Sequence, residues 1–236
     1  EANFGVIDAL GNGAYFETNN STYTRFDLKD APDGVLIRTN YSFTGREGEG
    51  KGYIRYENAK HLLAKHIEAC DITPAVLTEE VSRSYYHSLL QVDYGTLNMP
   101  WVVDQDFIPR RTSTATIAIE GVKPGEDSLF TTMWVGLGFP PCAEIRPVWL
   151  WDGGLPDELR GIGEYGHSPL CDAAVARKHE VFPIERGSGQ QYLNLGKLYN
   201  YAGTGYCQQL VPKNLELYKQ GYEVLEQKRQ DQQAKR

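Results

Sequence analysis

The pattern of apolar and polar positions predicts several short strands along the chain. Runs that alternate or are rich in β-branched residues, bounded by turn residues, are typical of strands. The runs are 4–7, 14–16, 35–39, 113–122, 128–137 and 144–151. Gly-Asn-Gly at 11–13 and Lys-Pro-Gly-Glu at 123–126 predict the turns of two hairpins, and Asn-Gly favours the positive φ angles of a tight turn. Pro147 indicates that the last run lies at a sheet edge or a bulge.

Helical periodicity and connecting loops account for the rest of the chain. Apolar residues at helical spacing predict a helix over 53–70, and an entry at Thr78, followed by two glutamates, predicts a second over 74–90. A third helical pattern covers 168–182, and 191–199 is interpreted as its continuation. The remaining predictions are a polar connection at 24–34, a flexible loop at 45–52, a helix from residue 213, and a frayed or disordered tail within 225–236.

The order of these elements predicts an α+β domain in which antiparallel sheets are covered by helices. The sequence contains no internal repeat and no low-complexity linker, so residues 1–236 are interpreted as a single domain. The apolar pattern is already present at Phe4, and the first residue is Glu1 rather than Met. We therefore interpret the amino end as an interior point of a domain, in a processed or truncated chain.

Composition and charge exclude several classes of protein. The chain is 41% hydrophobic and 23% charged, which is typical of a globular protein, and its net charge of −7 argues against a nucleic-acid partner. No apolar run approaches the roughly 18 residues of a membrane span. None of the four cysteines forms a C-x-x-C pair, which disfavours a zinc site, and we predict neither a metal nor a cofactor. Free thiols and disulfides both remain open for Cys70, Cys142, Cys171 and Cys207.

Histidine and glycine motifs give little support for a catalytic centre of their own. The five histidines match neither H-E-x-x-H nor a triad with a G-x-S-x-G elbow, so we interpret them as structural or surface residues. They are His61, His66, His87, His167 and His179. The Gly-rich stretch 186–190 lacks the lysine and the spacing of a phosphate loop, and we interpret it as a turn and helix entry.

Three arginines have positions that suggest chemistry. Arg55 lies in the first turn of the predicted helix 53–70, where a cation opposes the helix dipole, so it is either solvated or held by a carboxylate or a substrate. Arg110 and Arg111 precede a predicted strand. Paired arginines at such a position either form a surface charge pair or clamp an anion.

One superfamily has a similar order of motifs. The motifs are NFGVIDALGNGAYFETNN, YTRFDL, APDGVLIRTNYSF and GYIRYENAKHLL. In this order the chain resembles the N-terminal-nucleophile (Ntn) hydrolases, in the branch of isopenicillin-N acyltransferase and choloylglycine (linear amide) hydrolases. The resemblance is clearest over residues 3–66 and continues more loosely through STATIAIEGV and TTMWVGLGFP. It implies a four-layer αββα sandwich with antiparallel sheets, of which this chain is the downstream part.

The resemblance also implies residue roles. Asn40 matches the Asn of the family's Thr-Asn pair, whose amide stabilises the oxyanion, and Arg55 matches the active-site arginine, with Arg46 in competition. A neutral amide fixed at a strand end lowers a barrier by about 3 kcal/mol when it is aimed at developing negative charge. The candidate binding residues are Thr39, Tyr41 and Arg111.

The family's nucleophile has no counterpart in residues 1–236. It is a Cys exposed at a new amino terminus by autoproteolytic processing, upstream of the hairpin. The resemblance therefore implies an upstream segment or companion chain that carries this Cys. The implied function is a bacterial amide hydrolase or acyltransferase that acts on a small linear amide, such as an N-acyl amino acid, a peptide, a bile-salt conjugate or a β-lactam side chain.

An alternative is a non-catalytic ligand-binding or assembly module with the same fold. The 15 tyrosines and four tryptophans would suit a cleft for a sugar or an apolar ligand. Enzymes of the implied kind occur both inside bacteria and exported from them, so the compartment stays open between cytoplasm and exterior. A homo-oligomer is left open as well.

Overall fold

The computed structural model describes residues 2–8, 10–46, 48–151 and 154–234. It contains helices and antiparallel sheets, which confirms the predicted α+β class. The strands are β1 (Ala2–Ile7), β2 (Gly13–Thr18), β3 (Tyr23–Asp27), β4 (Tyr86–His87), β5 (Val92–Asp93), β6 (Val102–Asp104), β7 (Ala115–Glu120), β8 (Thr132–Leu137), β9 (Ile145–Val148) and β10 (Gln191–Leu193). The helices are α1 (Tyr53–Ala69), α2 (Pro169–Val181) and α3 (Tyr206–Gln233).

The first sheet has the order β1-β2-β3 and contains the predicted amino-terminal hairpin. Its turn differs in detail from the prediction, because the positive φ of 82° lies at Gly11 and not at the Asn-Gly pair. The carboxylate of Asp8 accepts hydrogen bonds from the backbone of Leu10 and Asn12, both 2.9 Å long, and closes the turn. Strand β3 occupies part of the stretch 24–34 that was predicted as a connection.

The prediction of a strand at 35–39 is wrong. This stretch forms no strand ladder with any described part of the chain. Side chains hold it instead: Asn3 donates an amide hydrogen bond of 3.0 Å to the carbonyl of Thr39, and the guanidinium of Arg38 lies over the rings of Phe26 and Phe43, 4.3 and 4.1 Å from the two centroids. The stretch therefore contacts the first sheet through Arg38 and Thr39 without joining it.

Helix α1 confirms the predicted helix at 53–70. It begins after Gly52, which adopts φ 98°, and ends at Cys70, which adopts φ 53° and donates its N–H to the carbonyls of the last turn. The helix predicted over 74–90 is shorter than expected. Helical structure ends with the turn Val81–Arg83, because the chain then turns inward and Tyr86 pairs with Asp93 between β4 and β5.

The second three-stranded sheet, β7-β8-β9, confirms the predicted hairpin and the edge position of Pro147, which lies on β9 opposite Trp134. Helix α3 packs on one face of this sheet. Trp134 is fully buried, and its ring centroid lies 4.3 Å from that of Tyr218. Gly221 allows this approach, since a Cβ there would lie 2.6 Å from the Trp134 ring.

The carboxyl-terminal part departs from the prediction at residues 191–199. Residues 191–193 form β10 and pair with β6, so this stretch does not continue helix α2, which itself confirms the prediction at 168–182. Helix α3 extends to Gln233, within the stretch 225–236 that was predicted as a frayed or disordered tail; residues 235 and 236 lie outside the described part. All four cysteines are free thiols. Among the described residues, no helix is both long and apolar enough to cross a bilayer.

Candidate functional site

The first turn of helix α1 brings Arg55 against Asn40. The side-chain carbonyl of Asn40 accepts a hydrogen bond from Nη2 of Arg55. Asn40 is solvent-exposed, whereas Arg55 is only 7% exposed. A helix folds its first-turn side chains back toward its amino end, and this geometry places the guanidinium next to the loop that precedes the helix.

Gly52 makes this contact sterically feasible. Its carbonyl accepts a 2.9 Å hydrogen bond from the hydroxyl of Thr39, so the loop passes directly beneath Thr39 and Asn40. A Cβ at residue 52 would lie 2.5 Å from Oδ1 of Asn40 and 3.0 Å from Nη2 of Arg55. Its φ of 98° also favours glycine. The junction between the loop and α1 thus requires the one residue without a side chain.

The hydrogen bond from Arg55 fixes which side of the Asn40 amide remains available. Because Arg55 can only donate, it binds the carbonyl oxygen of the amide and leaves the NH₂ group on the other side. That NH₂ group has no hydrogen-bond partner within the described ranges. Asn40 therefore presents a neutral, oriented donor to solvent.

Arg55 is a buried cation with weak compensation. Burial lowers the pKa of Arg55, the neighbouring Arg110 lowers it further, and Asp106 opposes both effects. The nearest carboxylate oxygen, on Asp106, is 3.8 Å from Nη1. Asp106 itself is held in a left-handed conformation with φ 60°, and its carbonyl accepts a 2.8 Å bond from the amide of Asn58 on α1. The site therefore has a positive potential next to the Asn40 amide.

Two cavities meet at this cluster. The apolar cavity, about 730 Å³, runs between the stretch 34–40, helix α1 and the turn at 77–81, and Thr39, Asn40, Arg55 and Arg110 line it among mostly aliphatic neighbours. The basic cavity, about 760 Å³, lies at the amino end of α1. Its charged lining residues are Lys51, Arg55, Asp104, Asp106, Arg110 and Arg111. Arg55 and Arg110 are shared by both cavities.

The predicted site residues fall into two groups. Asn40, Arg55 and Thr39 lie together, and Arg111 lines the adjoining basic cavity. Tyr41 is 6% exposed and its ring packs between the rings of Phe43, Tyr53 and Tyr56, so it lines neither cavity. Arg46, the competing arginine, points to Glu49 at 3.3 Å, with a largely exposed side chain.

The described lining of both cavities contains no cysteine and no histidine. Cys142 and Cys207 are completely buried, and burial raises the pKa of each thiol. Cys70 is exposed at the far end of α1. Within the described residues, moreover, no group of His, Cys, Asp or Glu is arranged to hold a metal ion. The cluster can thus orient and stabilise negative charge.

Sequence reasoning missed Gly52 and Asp106. The glycines of 45–52 indicated a loop, but nothing local showed that one of them faces Asn40. Asp106 lies 51 positions after Arg55, and no short motif connects the two. Comparison of the chain with protein-family models, curated proteins and solved structures returned no significant match.

Proposed function

We propose that this chain is the downstream part of a cysteine-dependent amide hydrolase or acyltransferase of the Ntn type. The observation that carries the proposal is the setting of Asn40: Arg55 holds its carbonyl oxygen, and the residue lines an open cavity. A preorganised neutral donor of this kind is what a developing oxyanion needs.

The proposed reaction uses a thiolate from a segment or companion chain outside residues 1–236. The sulfur forms a bond to the amide carbon, and the carbonyl electrons move to oxygen, which accepts a hydrogen bond from Asn40. Collapse of this intermediate breaks the C–N bond, and the amine leaves with a proton taken from solvent. Water or a second amine then attacks the thioester, loses a proton to solvent and releases the thiolate. Arg55 contributes positive potential and keeps the Asn40 amide in place.

The geometry at the amino end of β1 supports this arrangement. Asn3 bonds to the carbonyl of Thr39, so any segment joined to β1 would enter beside Asn40. Both three-stranded sheets also leave apolar side chains exposed, among them Phe4 and Val6 on β1 and Ile117 and Ile119 on β7. We propose that these faces become internal in a four-layer αββα sandwich once the upstream segment is present.

The test is Asn40→Ala in the full-length protein that includes this segment. Turnover should fall by roughly a hundredfold or more, with the unfolding transition unchanged, because one oxyanion donor is lost. Asn40→Asp keeps the shape but replaces the donor by a carboxylate, so it should lose at least as much activity. Unchanged turnover in either variant would remove Asn40 from the site.

A second comparison tests the arginine assignment. Arg55→Ala should impair turnover more than Arg110→Ala, because Arg55 holds the Asn40 amide and Arg110 does not. The two guanidiniums line the same two cavities, so each variant is a matched control for the other. The reverse order would show that the wrong arginine was matched to the family.

The alternative is a non-catalytic ligand-binding or assembly module. It is favoured by the lack of a cysteine or histidine in the described lining of the two cavities. Amino-terminal sequencing and intact mass of the native protein distinguish the two proposals. A companion fragment that begins with Cys supports the hydrolase, and a native protein without such a fragment or segment supports the binding module.

A further inference from the structure

The segment that carries Asn40 is held by side chains and not by a strand ladder. Residues 35–39 pair with no strand in the described part of the chain, so backbone hydrogen bonds to a neighbouring strand do not fix their position. A donor that stabilises developing charge must nevertheless be in place before the reaction begins. The contacts on either side of Asn40 therefore decide how precisely its amide is oriented.

After Asn40, the chain turns around the carboxylate of Glu17 on β2. Glu17 is 3% exposed, and its two oxygens accept hydrogen bonds of 2.8 and 2.9 Å from the backbone N–H groups of Phe43 and Thr44. The hydroxyls of Ser42 and Thr44 donate to the same carboxylate. Burial raises the pKa of Glu17, but the hydrogen bonds from the turn, first of all those from Thr44, lower it below its ordinary value. One ionised side chain thus holds three successive residues.

Before Asn40, the chain is held by Asn3, which lies directly opposite Glu17 in the β1–β2 ladder. Residues that face each other across a ladder place their side chains on the same face of the sheet. The amide of Asn3 donates its 3.0 Å hydrogen bond to the carbonyl of Thr39. A single cross-strand pair therefore brackets Asn40, with one anchor before it and one after it.

The two anchors lie outside the cavities of the candidate site. Neither Glu17 nor Asn3 belongs to the described lining of the apolar or the basic cavity, whereas Asn40 is exposed between them. The guanidinium of Arg38 interacts electrostatically with Glu17 and lies 4.1 Å from the ring centroid of Phe43, so it supports the same turn. The anchors can therefore affect a ligand only through the place they give to Asn40.

We infer that Glu17, together with Asn3, is a positioning residue that orients the Asn40 amide for the oxyanion. The catalytic part of this inference rests on the proposed function, because the proposed reaction gives the amide a charge to stabilise. The positioning itself needs no reaction. Without the carboxylate, the turn at 42–44 loses its acceptor, and the chain is anchored to the sheet only before Asn40.

The first experiment measures the order parameter of the Asn40 side-chain amide by NMR relaxation. Glu17→Ala should lower it to below about 0.6, the range of flexible groups, because the turn after Asn40 is released. Glu17→Gln should lower it less, since glutamine keeps one oxygen acceptor but presents an NH₂ group to the N–H of Phe43. Glutamine also preserves the shape of the side chain, so this variant tests the same point if the alanine variant does not fold.

Glu144→Gln is the matched control for these two variants. The carboxylate of Glu144 is also buried, with 7% exposure, and it pairs with Arg146, Arg177 and Lys213 outside both cavities. Its substitution should leave the order parameter of Asn40 unchanged. An unchanged order parameter in the folded Glu17 variants, or an equal decrease in the control, would overturn the inference.

The second experiment is turnover of the full-length protein that includes the upstream segment. Glu17→Ala should lower kcat about tenfold or more with little change in KM, because a misplaced donor weakens binding of the transition state and not of the substrate. In the Asn40→Ala background the same substitution should cost at most about twofold, since Glu17 acts through Asn40. A full additional loss in that background, or a change in KM alone, would contradict the inference. If Asn40→Ala itself keeps full turnover, the proposed function fails, while the order parameter still decides the positioning.

Discussion

Two buried arginines of this protein, Arg55 and Arg83, have opposite surroundings. Arg83 is 0% exposed, its Nε lies 3.0 Å from the carboxylate of Glu79, and its Nη2 donates a 2.7 Å bond to the carbonyl of Ala143. Arg55 is 7% exposed, but its nearest carboxylate is 3.8 Å away and its hydrogen-bonded partner is an exposed amide.

The wider environment separates the two arginines further. Glu79, the partner of Arg83, also accepts two bonds from the fully buried amide of Asn214 on α3. Burial raises the pKa of Glu79, and Arg83 and Asn214 oppose that shift. Arg83 lines neither cavity of the candidate site, whereas Arg55 lines both. Burial of an arginine is therefore not a sign of function; the feature that distinguishes Arg55 is the lack of a close carboxylate at a position beside an opening.

The largest expected effect is the loss of stability when Arg83 is replaced. Arg83→Met should destabilise the protein by about 3–5 kcal/mol, because the carboxylate of Glu79 is left buried without its cation. Urea unfolding followed by circular dichroism measures this. Arg55→Met should cost clearly less, since Arg55 leaves no carboxylate in close contact. Equal losses of unfolding free energy in the two variants would show that both arginines stabilise the core, and Arg55 would then not differ from Arg83.

An intermediate effect is expected at Gly52, which lies next to Asn40 and Arg55. Gly52→Ala should cost about 2–3 kcal/mol, because the new Cβ meets Asn40 and Arg55 at a positive φ. Gly125→Ala is the matched control, since Gly125 has a φ of 85° but no atom near its Cβ position, and it should cost about 1 kcal/mol. The side-chain amide resonances of Asn40 should shift only in the first variant. Indistinguishable variants would mean that the loop moves aside without disturbing Asn40.

The fold was predictable where local patterns and final contacts agree. The hairpin β1–β2, helix α1 and the β7–β8 hairpin follow from periodicity and turn residues within about 20 positions. The conformation of residues 35–39 could not be predicted in this way, because an apolar run predicts burial but does not identify a pairing partner for a strand. Strand β10 could not be predicted either, since Tyr192 pairs with Val103, 89 positions away, and that pairing overrides the local helical pattern.

The candidate site was likewise predictable only in part: residues in neighbouring motifs were identified, but distant contacts were not. Asn40 and Arg55 were named from motif order, and the structure brings them into contact. The charges around them come from Asp106 and Arg110, which lie in a loop some 50 residues further along the chain. Tyr41 shows the opposite outcome, because a residue next to Asn40 in sequence turns into an aromatic cluster instead of the cavity.

The smallest expected effect concerns His66, which joins the two regions. His66 lies on α1 with Arg55; its Nδ1 is 2.6 Å from Asp71, and its Nε2 is 3.2 Å from Glu80, the neighbour of Glu79. The hydrogen bond with Asp71, followed by that with Glu80, raises the pKa of His66 above its usual 6.5. Protonated His66 therefore stabilises the fold at pH values below 6.5, and this contribution disappears as the pH rises through the raised pKa.

The free energy of unfolding should thus fall as the pH rises from 6.5 through the raised pKa of His66 in the unmodified protein. His66→Gln should flatten this dependence, because glutamine carries no titrating proton, whereas substitution of the exposed His179 by Gln should preserve it. Lys65 also pairs with Glu80, at 2.9 Å, so part of the contact between α1 and the 76–80 turn persists at high pH and keeps the effect small. A His66→Gln variant with the original slope would show that the pH dependence arises elsewhere. In that case His66 would not couple the helix of Arg55 to the segment of Arg83, and the two arginines would belong to independently stabilised regions.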